Sequence, residues 1–128
     1  MKRAFRLLVV DDDVAFLNQV VASLSSIGGL TLYSASSADE AIELLPHVDA
    51  VLADCVFPNA FRLEEAVRQS GKPMVRMSGQ VGRAPNLELL KPFTPKELLE
   101  SIELLRFLHS PQRQPLQRQA VPRTKRAA

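Results

Sequence analysis

The chain has 128 residues, the length of a single domain with one sizeable hydrophobic core. Its composition, 46% hydrophobic and 23% charged, excludes a fibrous or wholly disordered protein. The single cysteine excludes an internal disulfide and suits a reducing compartment, and no stretch approaches the roughly 20 apolar residues of a membrane span. The short apolar run near the start ends in acids, unlike a signal peptide, so we expect a cytoplasmic protein.

Basic residues are concentrated in the last part of the chain. The overall net charge is +2, but residues 110–128 carry five bases and no acid. Residues 1–109 therefore carry the other 11 of the 16 bases against all 14 acids. The final segment is rich in Pro and Gln and lacks hydrophobic periodicity, and both features are typical of disordered segments. We predict a folded domain over residues 1–109 and a disordered tail over 110–128, which attracts polyanions weakly.

Apolar runs predict five β-strands along the chain. The first, Phe5–Val10, is a nearly continuous run of the kind that is covered on both faces of a sheet. The other four are predicted at Leu30–Ala35, at 48–54, within 72–79 and at 87–90. All five are short, which is typical of strands in a compact domain.

Helices are predicted between these strands and after the last one. In chain order they cover residues 13–27, 36–45, 61–71 and 94–108. Asp13 caps the first helix, and Gly71 closes the third. The last helix has the clearest start, because Thr94 is its N-cap and Glu97 completes a capping box. The apolar residues expected to face the core from this helix are Leu98, Leu99, Ile102, Leu105 and Leu108.

Strands that alternate with helices at this spacing predict an α/β fold, a doubly wound five-stranded parallel sheet with helices on both faces. Functional residues in such sheets collect at the carboxyl ends of the strands. The residues that end strands here carry acids, a hydroxyl and an amine: Asp11, Asp12, Asp13, Asp54, Ser78 and Lys91. We expect these residues to lie along one edge.

Acids gathered at one edge repel one another unless a cation compensates their charge. Mg²⁺ favours carboxylate oxygens and commonly shares its shell with a phosphate. A carboxylate can itself attack phosphorus and become an aspartyl phosphate. The added negative charge then needs a cation and a hydrogen-bond donor, such as the Lys91 ammonium and the Ser78 hydroxyl. The residue types therefore suggest metal-assisted phosphoryl transfer onto an aspartate.

Four motifs in this order resemble response-regulator receiver domains: VVDDD after the first strand, VLADCVFP with a proline four residues past the aspartate, MSG, and KPF. The resemblance covers about residues 4–108 and implies a flavodoxin-like sheet of strand order 2-1-3-4-5. It also implies that Asp54 accepts a phosphoryl group from a histidine kinase or phosphotransfer protein. The domain then signals by binding an unknown downstream protein. We expect a switch that assists its own phosphorylation and dephosphorylation, and no separate enzyme activity.

The resemblance also implies a set of metal ligands. Asp11 and Asp12 match the acid pair that holds Mg²⁺ in receivers. Asp54 and the backbone carbonyl of Val56 are the further ligands. Asp13 matches no ligand and is better explained as the helix cap.

Other positions near the site match receiver residues less uniformly. Ser78 matches the switch hydroxyl, and Lys91 matches the lysine that pairs with the phosphoryl oxygens. Val56 and Gln80 are expected to modulate hydrolysis of the phosphoryl group. Glu88 falls where receivers commonly have a rotating aromatic, and an acid is too costly to bury in an apolar pocket. We therefore do not expect the usual relay from hydroxyl to aromatic.

The chain also departs from receivers between Ser78 and Lys91. Receivers fit a whole helix there, but Gly79, Gly82 and Pro85 disfavour one. We predict that this fourth helix is absent or reduced to a loop. A signal would then travel through the loop 79–86.

Three alternatives remain open from the sequence. The chain could be a receiver-derived adaptor that binds without phosphate, or a phosphate sink that drains a kinase. Its arginine-containing tail could instead bind a nucleotide such as cyclic di-GMP, as in some receiver-like proteins. No DNA-binding domain follows in this sequence, which argues against a transcription factor.

Three further residues are expected to have no role in the site. Cys55 should point away from it as a small buried hydrophobe. His47 and His109 lack metal-ligand spacing and are expected at the surface.

Overall fold

The computed structural model describes residues 4–54, 56–78, 88–91 and 93–109. The elements, in chain order, are β1 (Phe5–Val10), α1 (Val14–Leu24), β2 (Leu30–Ala35), α2 (Ala38–Leu44), β3 (Ala50–Asp54), α3 (Ala60–Ser70), β4 (Met74–Ser78), β5 (Glu88–Leu90) and α4 (Pro95–His109). A short 3₁₀ turn, Leu45–His47, follows α2. The alternation of strands and helices is the predicted one.

The five strands form one parallel sheet of order β2-β1-β3-β4-β5. The predicted doubly wound topology is therefore confirmed. The register pairs Val10 with Ala35 and with Ala53, and it pairs Asp54 with Met77. The carboxyl ends of neighbouring strands thus lie side by side, and the residues that follow them share one edge of the sheet.

The sheet is covered on both faces, as the nearly continuous apolar strands require. Leu7 and Val9 of β1 contribute to a core with α1 and α4, while Leu8 and Val10 contribute to a second core with α2 and α3. All four of these side chains are fully buried. Period-two alternation within one strand therefore supplies both hydrophobic layers.

Helix α1 begins as predicted and ends earlier. The Asp13 carboxylate accepts a hydrogen bond from the Phe16 amide at 3.2 Å and caps the helix. The predicted end near residue 27 is wrong, because the helix stops at Leu24. The Ser25 hydroxyl donates to the Ala22 carbonyl at 2.8 Å, which replaces the next helical turn by a local bond.

The predicted caps of α3 and α4 are confirmed in the structure, and α2 also begins with a side-chain cap. The Ser37 hydroxyl accepts a hydrogen bond from the Glu40 amide at the start of α2. Gly71 adopts a left-handed conformation with φ of 75° and closes α3. Thr94 and Glu97 form the reciprocal capping box of α4, with bonds of 3.1 and 2.9 Å.

The predicted core face of α4 is correct for three residues out of five. Leu98, Ile102 and Leu105 are buried, whereas Leu99 is 44% exposed and Leu108 is half-buried. The reason is the helical period, because Leu99 is displaced by one residue from the buried positions and faces outward.

A partly buried ion pair closes the opposite edge of the sheet, at the start of β1 and β3. The Arg6 guanidinium donates to both carboxylate oxygens of Asp49, at 2.8 and 3.2 Å, and the Arg6 amide donates at 2.8 Å. His109 was expected at the surface, but it is half-buried, lies 3.5 Å from Asp49 and packs edge-on against Phe5. His47 is exposed, as expected. The end of α4 is therefore anchored to the sheet.

Several expectations concern parts of the chain outside the described residues. These are the absent fourth helix, the loop 79–86, the disordered tail 110–128 and the orientation of Cys55. Among the residues that the structure describes, no helix has the length and apolar character needed to cross a membrane.

Candidate functional site

The three aspartates after β1 have three different environments. Asp11 is buried, with 1% of its surface exposed, whereas Asp12 and Asp13 are exposed. The Asp11 amide continues the sheet by donating to the Ala35 carbonyl at 3.2 Å. Its carboxylate accepts a hydrogen bond from the Asp13 amide at 2.9 Å, which orients it at the strand end. One strand end therefore supplies a buried acid, an exposed acid and a helix cap.

Lys91 lies between two of the acidic residues at this edge. It comes directly after β5, and its Nζ is 3.2 Å from Asp54 Oδ1 and 3.4 Å from Asp11 Oδ2. The Asp54 side chain is 12% exposed, and that of Lys91 is 29% exposed. The ends of β1, β3 and β5 thus bring together groups that are far apart in sequence, as predicted.

Asp11, Asp12 and Asp54 offer oxygens that all lie within 4.8 Å of one another. Three carboxylates face one ammonium, so the cluster has excess negative charge when it is ionised. Burial, with help from the nearby Asp54 charge, raises the pKa of Asp11 above its ordinary value despite the bond from the Asp13 amide. Hard oxygen donors with unbalanced negative charge fit a divalent cation such as Mg²⁺.

The ammonium of Lys91 is held in its charged form. Burial by itself lowers the pKa of Lys91, but the hydrogen bond to Asp54 and the charges of Asp11 and Asp54 together raise it above its ordinary value. The ammonium also lies 4.5 Å from the centre of the Phe16 ring. Phe16 in turn meets Phe93 edge-on, with ring centres 5.9 Å apart.

Not every residue predicted for the site can be placed in full. Val56 lies two residues beyond Asp54, and its side chain is 67% exposed. The backbone of Ser78 ends β4 beside Leu90, and the backbone of Glu88 in β5 lies opposite that of Arg76 in β4. The side chains of Ser78 and Glu88 are outside the described part of the chain. Gln80 lies outside it entirely.

Phe16 is the site residue that the sequence analysis missed. Its position in an apolar helix pattern predicts a core residue, and its ring does pack against the α1 and α4 core. However, Phe16 is only three residues from the cap Asp13, in the first turn of a helix that starts at the functional edge. That spacing is the signal that could have identified it.

The fold and the edge together define a doubly wound α/β domain with an acidic, lysine-containing cluster at the carboxyl ends of its strands. Such an arrangement can hold a hard cation and can present a carboxylate to an electrophile beside a fixed ammonium. No protein-family model matches the chain, and no curated protein matches it in sequence.

Solved structures identify this class of fold. The signal receiver domain of an HD domain-containing protein from Pseudomonas fluorescens gives a TM-score of 0.76 at 23% identity, covering 89% of this chain and 95% of that one. A response regulator receiver protein from Sinorhizobium medicae gives 0.69 at 25% identity, covering 84% and 98%. A CheY-like receiver domain protein from Methanospirillum hungatei gives 0.70 at 25% identity, covering 81% and 95%. The chain has the fold of response-regulator receiver domains, which confirms the resemblance predicted from its motifs.

Proposed function

We propose that this chain is a cytoplasmic response-regulator receiver that accepts a phosphoryl group on Asp54. The observation that carries the proposal is the placement of the Lys91 ammonium against both Asp54 and Asp11, with Asp12 completing the acidic cluster. The phosphoryl donor is a histidine kinase or a histidine phosphotransfer protein. The receiver fold supports this assignment, because it is shared with solved response-regulator receivers.

The acidic cluster would hold Mg²⁺. Asp11, Asp12 and Asp54 supply carboxylate oxygens, and the backbone carbonyl of Val56 is the proposed fourth protein ligand. Bound Mg²⁺ would neutralise negative charge on the carboxylates and on an incoming phosphoryl group. The raised pKa of Asp11 supports this fit, because it reflects a buried acid that lacks full charge compensation among the described groups.

The proposed chemistry is a displacement at phosphorus. A carboxylate oxygen of Asp54 forms the new bond to phosphorus, and the phosphorus–nitrogen bond of the donor phosphohistidine breaks. The leaving imidazole nitrogen keeps the electron pair. Lys91, already 3.2 Å from Asp54, provides the positive charge for the transferred group, and Ser78 is the proposed hydroxyl donor.

The proposed output is a change in protein binding. A phosphorylated Asp54 carries more negative charge than a carboxylate, and the groups that contact it have to rearrange. We propose that the phosphorylated domain then binds a downstream protein target and that it acts as a switch with no separate substrate.

Intact mass after incubation with acetyl phosphate and Mg²⁺ tests the proposal. We expect a gain of one phosphoryl group that disappears in Asp54→Asn and when the metal is chelated. Asp39→Asn is the matched variant, because it removes an exposed acid that pairs with Arg62 away from the site, and it should keep the gain.

A folded protein that gains no phosphoryl group from acetyl phosphate, or from a phosphorylated phosphotransfer protein, would contradict the proposal. The receiver-derived adaptor would then be the better description. If the gain occurs without any change in protein binding, the domain is a phosphate sink.

A further inference from the structure

The Lys91 ammonium has a third neighbour besides the two carboxylates, the face of the Phe16 ring. Its Nζ lies 4.5 Å from the ring centre, within the distance at which a cation is attracted to an aromatic face. We propose that Phe16 is a positioning residue whose ring holds the Lys91 ammonium beside Asp54. Its consequence for phosphoryl transfer rests on the function proposed above.

A lysine at this position needs an additional restraint. Its side chain has several rotatable bonds and remains 29% exposed, so the ammonium can leave the site for water. Its two charged partners, Asp11 and Asp54, are also the proposed metal ligands. A divalent cation would compete with the ammonium for these oxygens and would repel it. The ring is a neutral partner that neither titrates nor binds a metal. Its attraction for the ammonium would therefore persist when the carboxylates bind a divalent cation.

Three interactions fix the position of Phe16. The Asp13 cap accepts a hydrogen bond from the Phe16 amide and sets the first turn of α1. Phe93, two residues after Lys91, meets the ring at an interplanar angle of 72°. The ring also packs against the core formed by α1 and α4. The segments after β1 and after β5 therefore both contribute to the orientation of Phe16.

Core packing alone is the competing explanation for Phe16. If the ring only filled space, a leucine would replace it with a small loss of stability and no change in the contribution of Lys91 to phosphoryl transfer. If the aromatic face matters, tyrosine should substitute for phenylalanine and leucine should not. The two explanations differ in what they predict for Lys91.

We would compare Phe16→Leu and Phe16→Tyr with Phe5→Leu. Phe5 belongs to the same core but lies at the opposite edge of the sheet, where it contacts His109 and Arg106. Phe5→Leu therefore matches the loss of packing without altering the surroundings of Lys91. Urea denaturation of each variant checks that it is folded.

The first readout is the nuclear magnetic resonance signal of the Lys91 methylene next to the ammonium, without metal or phosphoryl donor. A group above an aromatic face is shifted upfield by the ring current. We expect this upfield shift in the wild type, in Phe16→Tyr and in Phe5→Leu, and its loss in Phe16→Leu.

The second readout is the rate of phosphoryl gain from acetyl phosphate and Mg²⁺. We expect Phe16→Leu to be slower by about three- to tenfold, from the usual strength of such contacts. Phe16→Tyr and Phe5→Leu should remain within about twofold of the wild type.

An unchanged Lys91 signal in folded Phe16→Leu would overturn the proposal, as would a lost signal with an unchanged rate. A rate loss of equal size in Phe5→Leu would also overturn it, because packing would then explain the effect. If no protein gains a phosphoryl group, the function proposed for Asp54 fails, and an unchanged Lys91 signal in Phe16→Leu would still overturn the contact proposed for Phe16.

Discussion

The partly buried ion pair between Arg6 and Asp49 should contribute strongly to the stability of the fold. The Asp49 side chain is 6% exposed and accepts three hydrogen bonds from Arg6. Breaking a fully buried pair costs about 3–5 kcal/mol, whereas an exposed pair contributes about 0–1 kcal/mol. Since Arg6 is 31% exposed and can be hydrated when left alone, we expect Asp49→Asn to cost about 2–3 kcal/mol, or about 10–20 °C in Tm.

The cost of Asp49→Asn should depend on pH in a defined direction. Burial alone would raise the pKa of Asp49, but the hydrogen bonds from Arg6 outweigh it and hold the pKa below its ordinary value of 3.8. An acid with a lowered folded pKa adds stability above its unfolded pKa and loses that stability as the pH falls through the folded value. The difference between wild type and Asp49→Asn should therefore be full at pH 7 and shrink below about pH 4.

Urea denaturation at pH 7, 5 and 3.5 measures this difference. Asp39→Asn is the matched variant, because Asp39 pairs with Arg62 at 2.7 Å but has a side chain that is 79% exposed. It should change the free energy of unfolding by less than about 1 kcal/mol at every pH. A cost for Asp49→Asn that is equally small, or that stays constant from pH 7 to pH 3.5, would refute the reasoning.

Four further substitutions test the last helix and the site. Thr94→Ala removes the hydroxyl that caps α4 and should lower the free energy of unfolding by about 1 kcal/mol in urea denaturation. Leu105→Ala empties a fully buried position and should cost about 2–5 kcal/mol, whereas Leu99→Ala, at a position 44% exposed, should cost clearly less. Lys91→Met removes the cation that competes for Asp11 and Asp54, so calorimetry at pH 7 should show Mg²⁺ binding tightened by at least about threefold. Weaker Mg²⁺ binding in Lys91→Met would contradict the proposed competition.

The fold was predictable because each local signal agrees with the global topology. The predicted bounds of β1 and β2 match the structure, and Asp13, Gly71 and Thr94 end or begin helices as expected. These residues act through short-range chemistry, namely caps and a left-handed glycine, which depends little on the rest of the chain. Alternating strands and helices then leave few parallel arrangements.

Contacts between distant residues were harder to predict than local structure. The collection of Asp11, Asp54 and Lys91 at one edge followed from the rule that parallel strands share their carboxyl ends. No such rule pairs Arg6 with Asp49, or places His109 against Phe5. These contacts depend on side-chain directions and on where α4 ends, which the sequence pattern does not specify.

The end of α1 shows the same limit at shorter range. Gly28 and Gly29 in the sequence favour a helix end near residue 27, but the Ser25 hydroxyl donates to the Ala22 carbonyl and the helix ends at Leu24. Serine competes with the helix for backbone groups, and whether it does so at a given position depends on the neighbouring packing.

Each of the two edges of the sheet contains a buried aspartate, and the pKa values of these two residues shift in opposite directions. Asp49 is surrounded by donors and has a lowered pKa, whereas Asp11 is buried beside Asp54 and has a raised pKa. An ionised Asp11 therefore destabilises the metal-free fold, which is expected of a residue retained for its chemistry. Both residues can be tested with the same substitution.

Asp11→Asn should stabilise the metal-free protein at pH 7, by an amount within the usual range for stabilising substitutions, about 0.5–2 kcal/mol. An acid with a raised folded pKa loses stability as the pH rises from its unfolded pKa to its folded one, so the gain in Asp11→Asn should grow with pH over that interval. The cost of Asp49→Asn is already full above about pH 4, so any further divergence of the two variants as the pH rises should come from Asp11→Asn alone. Added Mg²⁺ should stabilise the wild type more than Asp11→Asn, because only the wild type keeps the full set of carboxylates. Destabilisation of the metal-free protein by Asp11→Asn at pH 7 would show that this carboxylate supports the fold, and the charge imbalance inferred for the site would then be wrong.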